Sequence, residues 1–156
     1  MVSGPLPSTR SDTKARLRLW VRLLRATRLV ESETRERFKS QFNVTLPRFD
    51  VMAALYRKPD GMLMSEISRF LLVSNGNITG IVDRLVQDGF IVRSQRNGDR
   101  RTSFVRLTAK GHAAFVEMAT AHERWINKLL GGVKVRNAEH LSATLKSFRS
   151  DWEGDT

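Results

Sequence analysis

Three arginines fall within six residues at Arg96-Asn97-Gly98-Asp99-Arg100-Arg101. A guanidinium carries a planar fork of N–H donors that matches phosphate and carboxylate oxygens. The central Asn-Gly pair is the strongest short hairpin signal, so these cations are expected at a hairpin tip. A cationic tip can enter the narrow minor groove of duplex DNA. Asp99 fits such a loop only if it holds Arg101 in one orientation through a bidentate pair. Taken alone, the loop also reads as a solvated turn of mixed charge.

Upstream, Ser74-Asn75-Gly76-Asn77 and Thr79 place short polar side chains at the start of a predicted helix. A helix fits the major groove and its N-terminal residues reach base edges. Asn pairs with adenine, and Ser or Thr contacts bases or phosphates. Gly76 and Gly80 inside a helix cost about 1 kcal/mol each relative to Ala. Either close approach to DNA or tight packing against a neighbouring helix offsets that cost. Ser65, at the start of the preceding predicted helix, with Arg84 and Arg93, completes the candidate DNA contacts.

A second cationic group lies nearer the N-terminus. Arg18, Arg22, Arg25 and Arg28 recur at four, three and three residues, a stripe on one helix, with Arg35 and Arg37 beyond. One reading is a site for an anionic effector, even one with several phosphates. The other is a solvated basic face that adds general attraction to DNA.

The charge balance of the 156-residue chain is +11. A small domain this basic meets nucleic acid, a membrane surface or a phosphorylated ligand, solubility alone being the plain alternative. Residues 10–41 hold ten basic and four acidic side chains, net +6, and 62–110 hold eight and four, net +4. Residues 111–156 hold six of each. There is no cysteine, which removes disulfides and thiol catalysis. His112, His122 and His140 stand ten and eighteen residues apart and show no metal-ligand pairing. Neither a phosphate-binding glycine loop nor a serine nucleophile elbow occurs. An enzyme is therefore not expected, and no cofactor or metal. No apolar run approaches the roughly 18 residues of a membrane span. Met1 to Thr9 lack the basic cluster and apolar core of a secretory signal. A cytoplasmic location follows as the expectation. The basic amphipathic first helix raises a membrane-surface reading, but Thr27 and Glu31 interrupt its apolar face.

These groups need elements to hold them. Residues 12–41 predict a long helix capped by Ser11 or Asp12, with Leu17, Trp20, Leu24 and Thr27, and Leu19, Leu23, Ala26 and Val30, on one broad apolar face. One small domain does not cover such a face, and a partner chain is its natural cover. Thr45 and Pro47 start a second helix, with Phe49, Met52, Ala53 and Tyr56 inside. Lys58-Pro59-Asp60-Gly61 is a turn, and Met62 to Met64 a short strand. Ser65 caps a helix carrying Ile67, Phe70 and Leu71 inside, and Ser74 caps one carrying Ile78, Ile81, Val82 and Leu85. Two such helices in succession form the helix-turn-helix pattern. Gly89 stops the second, with Phe90 folding back. Ile91 to Gln95 and Ser103 to Leu107 read as paired strands. Thr108 caps a helix to about Leu130 with Phe115, Met118, His122, Trp125, Ile126 and Leu129 on one face. Gly131-Gly132 ends it, and Asn137 caps a last helix with Leu141, Leu145, Phe148 and, at its far end, Trp152. The fold class expected is mainly α with a small β-hairpin. Residues 1–11 form a disordered tail and 12–150 one domain, in which 46–108 are the DNA-binding lobe.

The segment VSNGNITGIVDRLVQDGFIVRSQRNGDRRTSFVRLTAKG, from Val73 to Gly111, resembles the MarR family of winged helix-turn-helix regulators. The marks are Val82-Asp83-Arg84-Leu85, Asp88-Gly89-Phe90, Asp99-Arg100-Arg101, Val105-Arg106-Leu107-Thr108 and Gly111. The order of elements matches from about Asp12 to Phe148. The resemblance implies a homodimer on palindromic operator DNA, built by the first and last helices (12–45 and 109–150), with Arg101 entering the minor groove. It implies a repressor released by a small anionic aromatic effector, bound between the dimerisation helices and the DNA lobe. Trp20, Phe42, Phe49, Met52, Tyr56 and Phe115 are candidates to line that crevice, and each also reads as core. The chain is similar to family members that control breakdown of plant aromatic acids and respond to an aryl-coenzyme A thioester. A phenolic drug as ligand, or a non-specific architectural DNA-binding role, are the alternatives. Gly76 and Gly80 depart from the larger polar residues of many relatives, so base preference does not carry over.

Overall fold

The computed structural model describes residues 9–71, 75–95 and 103–153. In chain order it contains α1 (Arg10–Phe42), α2 (Leu46–Tyr56), β1 (Met62–Leu63), α3 (Met64–Leu71), α4 (Asn75–Gln87), β2 (Ile91–Gln95), β3 (Ser103–Leu107), α5 (Ala109–Leu129) and α6 (Val135–Glu153). The mainly helical class with a small sheet is the class expected. The sheet is larger by one strand, because Met62–Leu63 pairs antiparallel with Phe104 and Val105, giving the order β1-β3-β2. The β2–β3 hairpin has the strand bounds expected, and in it Ile91 faces Leu107 and Gln95 faces Ser103.

Helix α1 starts two residues before the expected domain start. Its cap is Thr9, not Ser11 or Asp12. The Asp12 backbone N–H donates to Thr9 Oγ1 at 3.2 Å, and the Thr9 N–H donates to Asp12 Oδ2 at 3.0 Å. This reciprocal box puts the carboxylate three residues after the cap. The hydrogen bond from the Thr9 backbone holds the Asp12 carboxyl below its usual pKa. Residues 1–8 of the expected tail lie outside the described residues.

Two other helix starts differ from expectation for one reason. Helix α3 follows β1 without a break, so Ser65 lies in its first turn, and Leu63 N–H donates to Glu66 Oε2 at 2.8 Å. Helix α6 starts at Val135, where the Lys134 carbonyl accepts from the N–H groups of Asn137 and Ala138. Asn137 is therefore inside the helix. Polar residues mark where a cap is cheap, but the chain path decides which residue occupies it.

The core is built by α2, α3 and α4 under the sheet, with the end of α1. Phe38, Val51, Met52, Leu55, Ile67, Ile78, Val82, Leu85 and Val105 are fully or almost fully enclosed. Of the inner face expected for α2, Phe49 and Met52 are buried, but Ala53 is half-buried and Tyr56 exposed, and Val51, Ala54 and Leu55 are buried in addition. Phe70, expected inside, is 53% exposed, with the Arg57 guanidinium 5.9 Å from its ring centroid.

Helix α4 ends as its residues require. Gly89 takes φ +75°, the Phe90 N–H donates to the Leu85 carbonyl, and the Gly89 N–H to the Val86 carbonyl. This is the Schellman arrangement, in which a left-handed glycine lets the chain satisfy the last carbonyls. Thr108 then ties this end to α5: its Oγ1 donates to the Gly89 carbonyl at 2.7 Å and accepts from the Gly111 N–H at 3.0 Å.

The chain divides into two compact units between Ala121 and His122, within α5. The first holds the helix-turn-helix, the sheet and α1. The second is the end of α5, the Gly131-Gly132 turn and α6, whose side chains from 135 to 147 are exposed.

Candidate nucleic-acid interface

Helix α4 is two-sided. Ile78, Val82 and Leu85 recur at four and three residues and are fully buried. Asn77, Thr79, Gly80, Asp83 and Arg84 are exposed. Asn75 and Gly76 open the helix. A helix buried on one side and polar on the other, followed at once by an antiparallel hairpin, can lie in a groove with the hairpin at its flank.

The hairpin is tied to the helix by charge. Arg93 Nη2 of β2 lies 2.8 Å from Asp83 Oδ1 of α4, and Arg84 Nε lies 3.4 Å from Asp88 Oδ1. Both pairs are partly exposed, so they orient side chains more than they add stability. Ser65 is exposed on α3. Ser74, Arg96, Asp99, Arg100 and Arg101 lie outside the described residues.

The family model for the MarR family matches residues 44–103. The chain is 33% identical over 116 residues to the uncharacterized HTH-type transcriptional regulator YkoM of Bacillus subtilis, covering 74% of this chain and 73% of that one. It also resembles the crystal structure of a MarR family transcriptional regulator from Silicibacter pomeroyi, with 32% identity, a TM-score of 0.76, and 94% and 99% of the two chains covered. The chain belongs to the MarR family of transcriptional regulators. A further similar protein is the transcriptional activatory protein BadR of Rhodopseudomonas palustris, 27% identical, covering 83% of this chain and 77% of BadR. These relatives are regulators, not enzymes. No described helix of this MarR family chain is long and apolar enough to cross a membrane.

The candidate effector residues separate into two sets. Arg18, Arg22 and Arg25 line a shallow groove of about 310 Å³ on α1 with Leu17 and Val21. Arg28 is exposed but does not line it, and Trp20 is 58% exposed on the same helix. The aromatic set is packed instead. Phe49 lies 4.4 Å from Phe38 and 5.5 Å from Phe115, between ring centroids, and Tyr56 lies 4.7 Å from Phe115 and 4.9 Å from His112. Phe49, Met52 and Phe115 are buried, so within this chain they are core. Phe42 joins the cluster through Phe38, at 6.3 Å.

One cleft was not anticipated from sequence. It has a volume of about 560 Å³ and is lined by Arg35 and Lys39 of α1, Thr45, Arg48 of α2, and Asn77 and Gly80 of α4 among others. Its three cations stand 27 to 40 residues before the start of α4. The local signal that existed was the helix start at Thr45-Leu46-Pro47-Arg48, which shows where α2 begins and not what it faces.

Proposed function

We propose that this regulator binds a palindromic operator as a cytoplasmic homodimer, acts as a repressor, and is released by a small anionic aromatic compound or its coenzyme A thioester. The two-sidedness of α4 carries the DNA reading. Ser74, Asn75, Gly76, Asn77 and Thr79 meet base edges from the exposed side and first turn. Arg96, Arg100 and Arg101 serve the minor groove, with Asp99 orienting Arg101. Ser65, Arg84 and Arg93 face the phosphates, the two arginines held in place by Asp88 and Asp83. Support for the dimer comes from apolar side chains exposed on each of two helices: Leu17, Leu19 and Trp20 of α1, and, in the other unit, Leu141 and Leu145 of α6. Arg18, Arg22, Arg25 and Arg28 hold the anionic part of the effector. Trp20, exposed on α1, and Tyr56, exposed against Phe115, offer its aryl part a surface. Similarity to a protein named as an activator supports a second reading, in which bound regulator promotes transcription.

The test is fluorescence anisotropy on DNA from upstream of the protein's own gene, near physiological salt, with random-DNA competitor. Arg101→Ala weakens operator binding by about 1–3 kcal/mol if it makes a groove contact. Unchanged affinity refutes the wing assignment. Aryl-coenzyme A thioesters and their free acids are then added. Arg22→Ala and Arg25→Ala blunt release more than binding if the stripe holds the effector, and reduce both equally if it is a general basic face. Binding no better than to random DNA turns the reading to an operator elsewhere in the genome or to an architectural role.

A further inference from the structure

The cleft between the end of α1, the start of α2 and the first turns of α4 has a composition that the helix-turn-helix does not explain. Arg35, Lys39 and Arg48 converge on it from two helices, and none of its lining residues is a carboxylate. Among the described residues no salt bridge occupies any of the three cations. Gly80 opens its floor. A Cβ built there meets nothing within 4 Å, so packing against the described chain does not demand the glycine. The room beside α4 is open space at a position where a helix prefers almost any other residue.

We propose that this cleft seats the phosphate backbone of the bound duplex, with Lys39 and Arg48 as direct phosphate contacts and Arg35 beside them. The proposal rests on the reading that α4 enters the major groove, and it extends the footprint to α1 and α2. Its geometry follows from dimensions. The major groove is about 12 Å wide, and a helix with its side chains is about 10–12 Å across. Backbone phosphates therefore pass directly alongside the inserted helix. Asn77 and Gly80 line the cleft from the first two turns of α4, so a strand flanking those turns runs into it. The absent side chain at Gly80 lets that strand approach, and Lys39 and Arg48, engaged in no salt bridge among the described residues, meet its charge. Such contacts fix position on the duplex and carry no base information.

The experiment measures binding of the full chain to operator and to a random duplex over a range of salt. The variants are Lys39→Gln, Arg48→Gln and Gly80→Leu, with Arg136→Gln of α6 as a charge control and thermal melting as a fold control. Each phosphate contact contributes about 0.9 to the slope of log affinity against log salt, which amounts to about fivefold between 1 M and 0.15 M salt. Lys39→Gln and Arg48→Gln are expected to lower affinity about that much for both duplexes and to flatten the slope by about 0.9 each. Gly80→Leu puts a side chain into the cleft, starting from a Cβ that meets no other atom within 4 Å. It is expected to weaken binding to both duplexes while the melting temperature holds or rises. Cleft variants that match Arg136→Gln in affinity and slope overturn the proposal. So does loss of operator preference at unchanged slope, which assigns the residues to base reading. Unchanged DNA binding with loss of release by benzoate or benzoyl-coenzyme A also overturns it and makes the cleft a small-anion site. The random duplex keeps the two readings separable: if no operator preference exists, base reading fails, and the slope on random DNA still decides this proposal.

Discussion

Gly111 shows how one missing side chain positions two elements. A Cβ at Gly111 falls on the carbonyl oxygen of Phe90. That carbonyl also accepts from the Thr108 N–H at 3.0 Å, so it has no freedom to withdraw. Gly111→Ala gains helix propensity but overpacks this contact, and a net loss of about 1–3 kcal/mol is expected, read as a lower urea midpoint. Asp50 is a residue whose protonation bears on stability. Burial, with the Glu31 carboxylate nearby, raises its pKa above 3.8, and Arg35 offsets part of the shift. The stabilising contribution of the raised pKa is full below the ordinary value and is lost as pH rises through the raised one. Asp50→Asn is therefore expected to raise the melting temperature at neutral pH. The gain shrinks as pH falls through that window; a gain that is constant with pH would refute the assignment. At this scale sequence reasoning placed Asn77 and Thr79 on an exposed side, because the apolar spacing of α4 leaves no other place for them. For Gly80 it left two explanations open, and packing within the described chain is not one the structure supports.

At the scale of elements, Thr108 joins the end of α4, through the Gly89 carbonyl, to the start of α5. Thr108→Val keeps the shape and removes the cap oxygen. A loss of about 1 kcal/mol is expected, seen as an earlier unfolding midpoint without a change in slope. No change would mean that water replaces the cap. Strands β2 and β3, the end of α4 and the start of α5 were legible because each is specified by neighbours in sequence: alternating residues, a glycine after the last turn, a threonine before the first. The starts of α3 and α6 were not. In α3 the cap position is set by β1 pairing with β3, some 40 residues away, and a distant strand leaves no mark beside Ser65.

For the whole molecule, the question is what covers the long helices. Leu17, Leu19, Trp20 and Leu29 of α1 are each more than half exposed. If a second copy covers this face, Trp20→Glu places a charge in the interface. Large interface aromatics are the residues that dominate association, so the dimer dissociation constant should rise by at least about tenfold. Sedimentation at several concentrations measures it. A variant that remains as dimeric as the parent would put the interface elsewhere. Operator affinity should fall with dimerisation, because two half-sites are then no longer held together.

The sequence by itself determined the order of the elements, the polar start of α4, the three arginines that follow β2 and the family. Those properties depend on residues close together along the chain, where spacing is information. The tertiary structure decided which side chains share a surface. It closed Phe49, Met52 and Phe115 into core, paired Arg93 with Asp83 and Arg84 with Asp88, and gathered Arg35, Lys39 and Arg48 beside Gly80. Helix packing made those choices, because the angle and rotation at which α1, α2 and α4 meet bring together residues with no periodic relation in sequence.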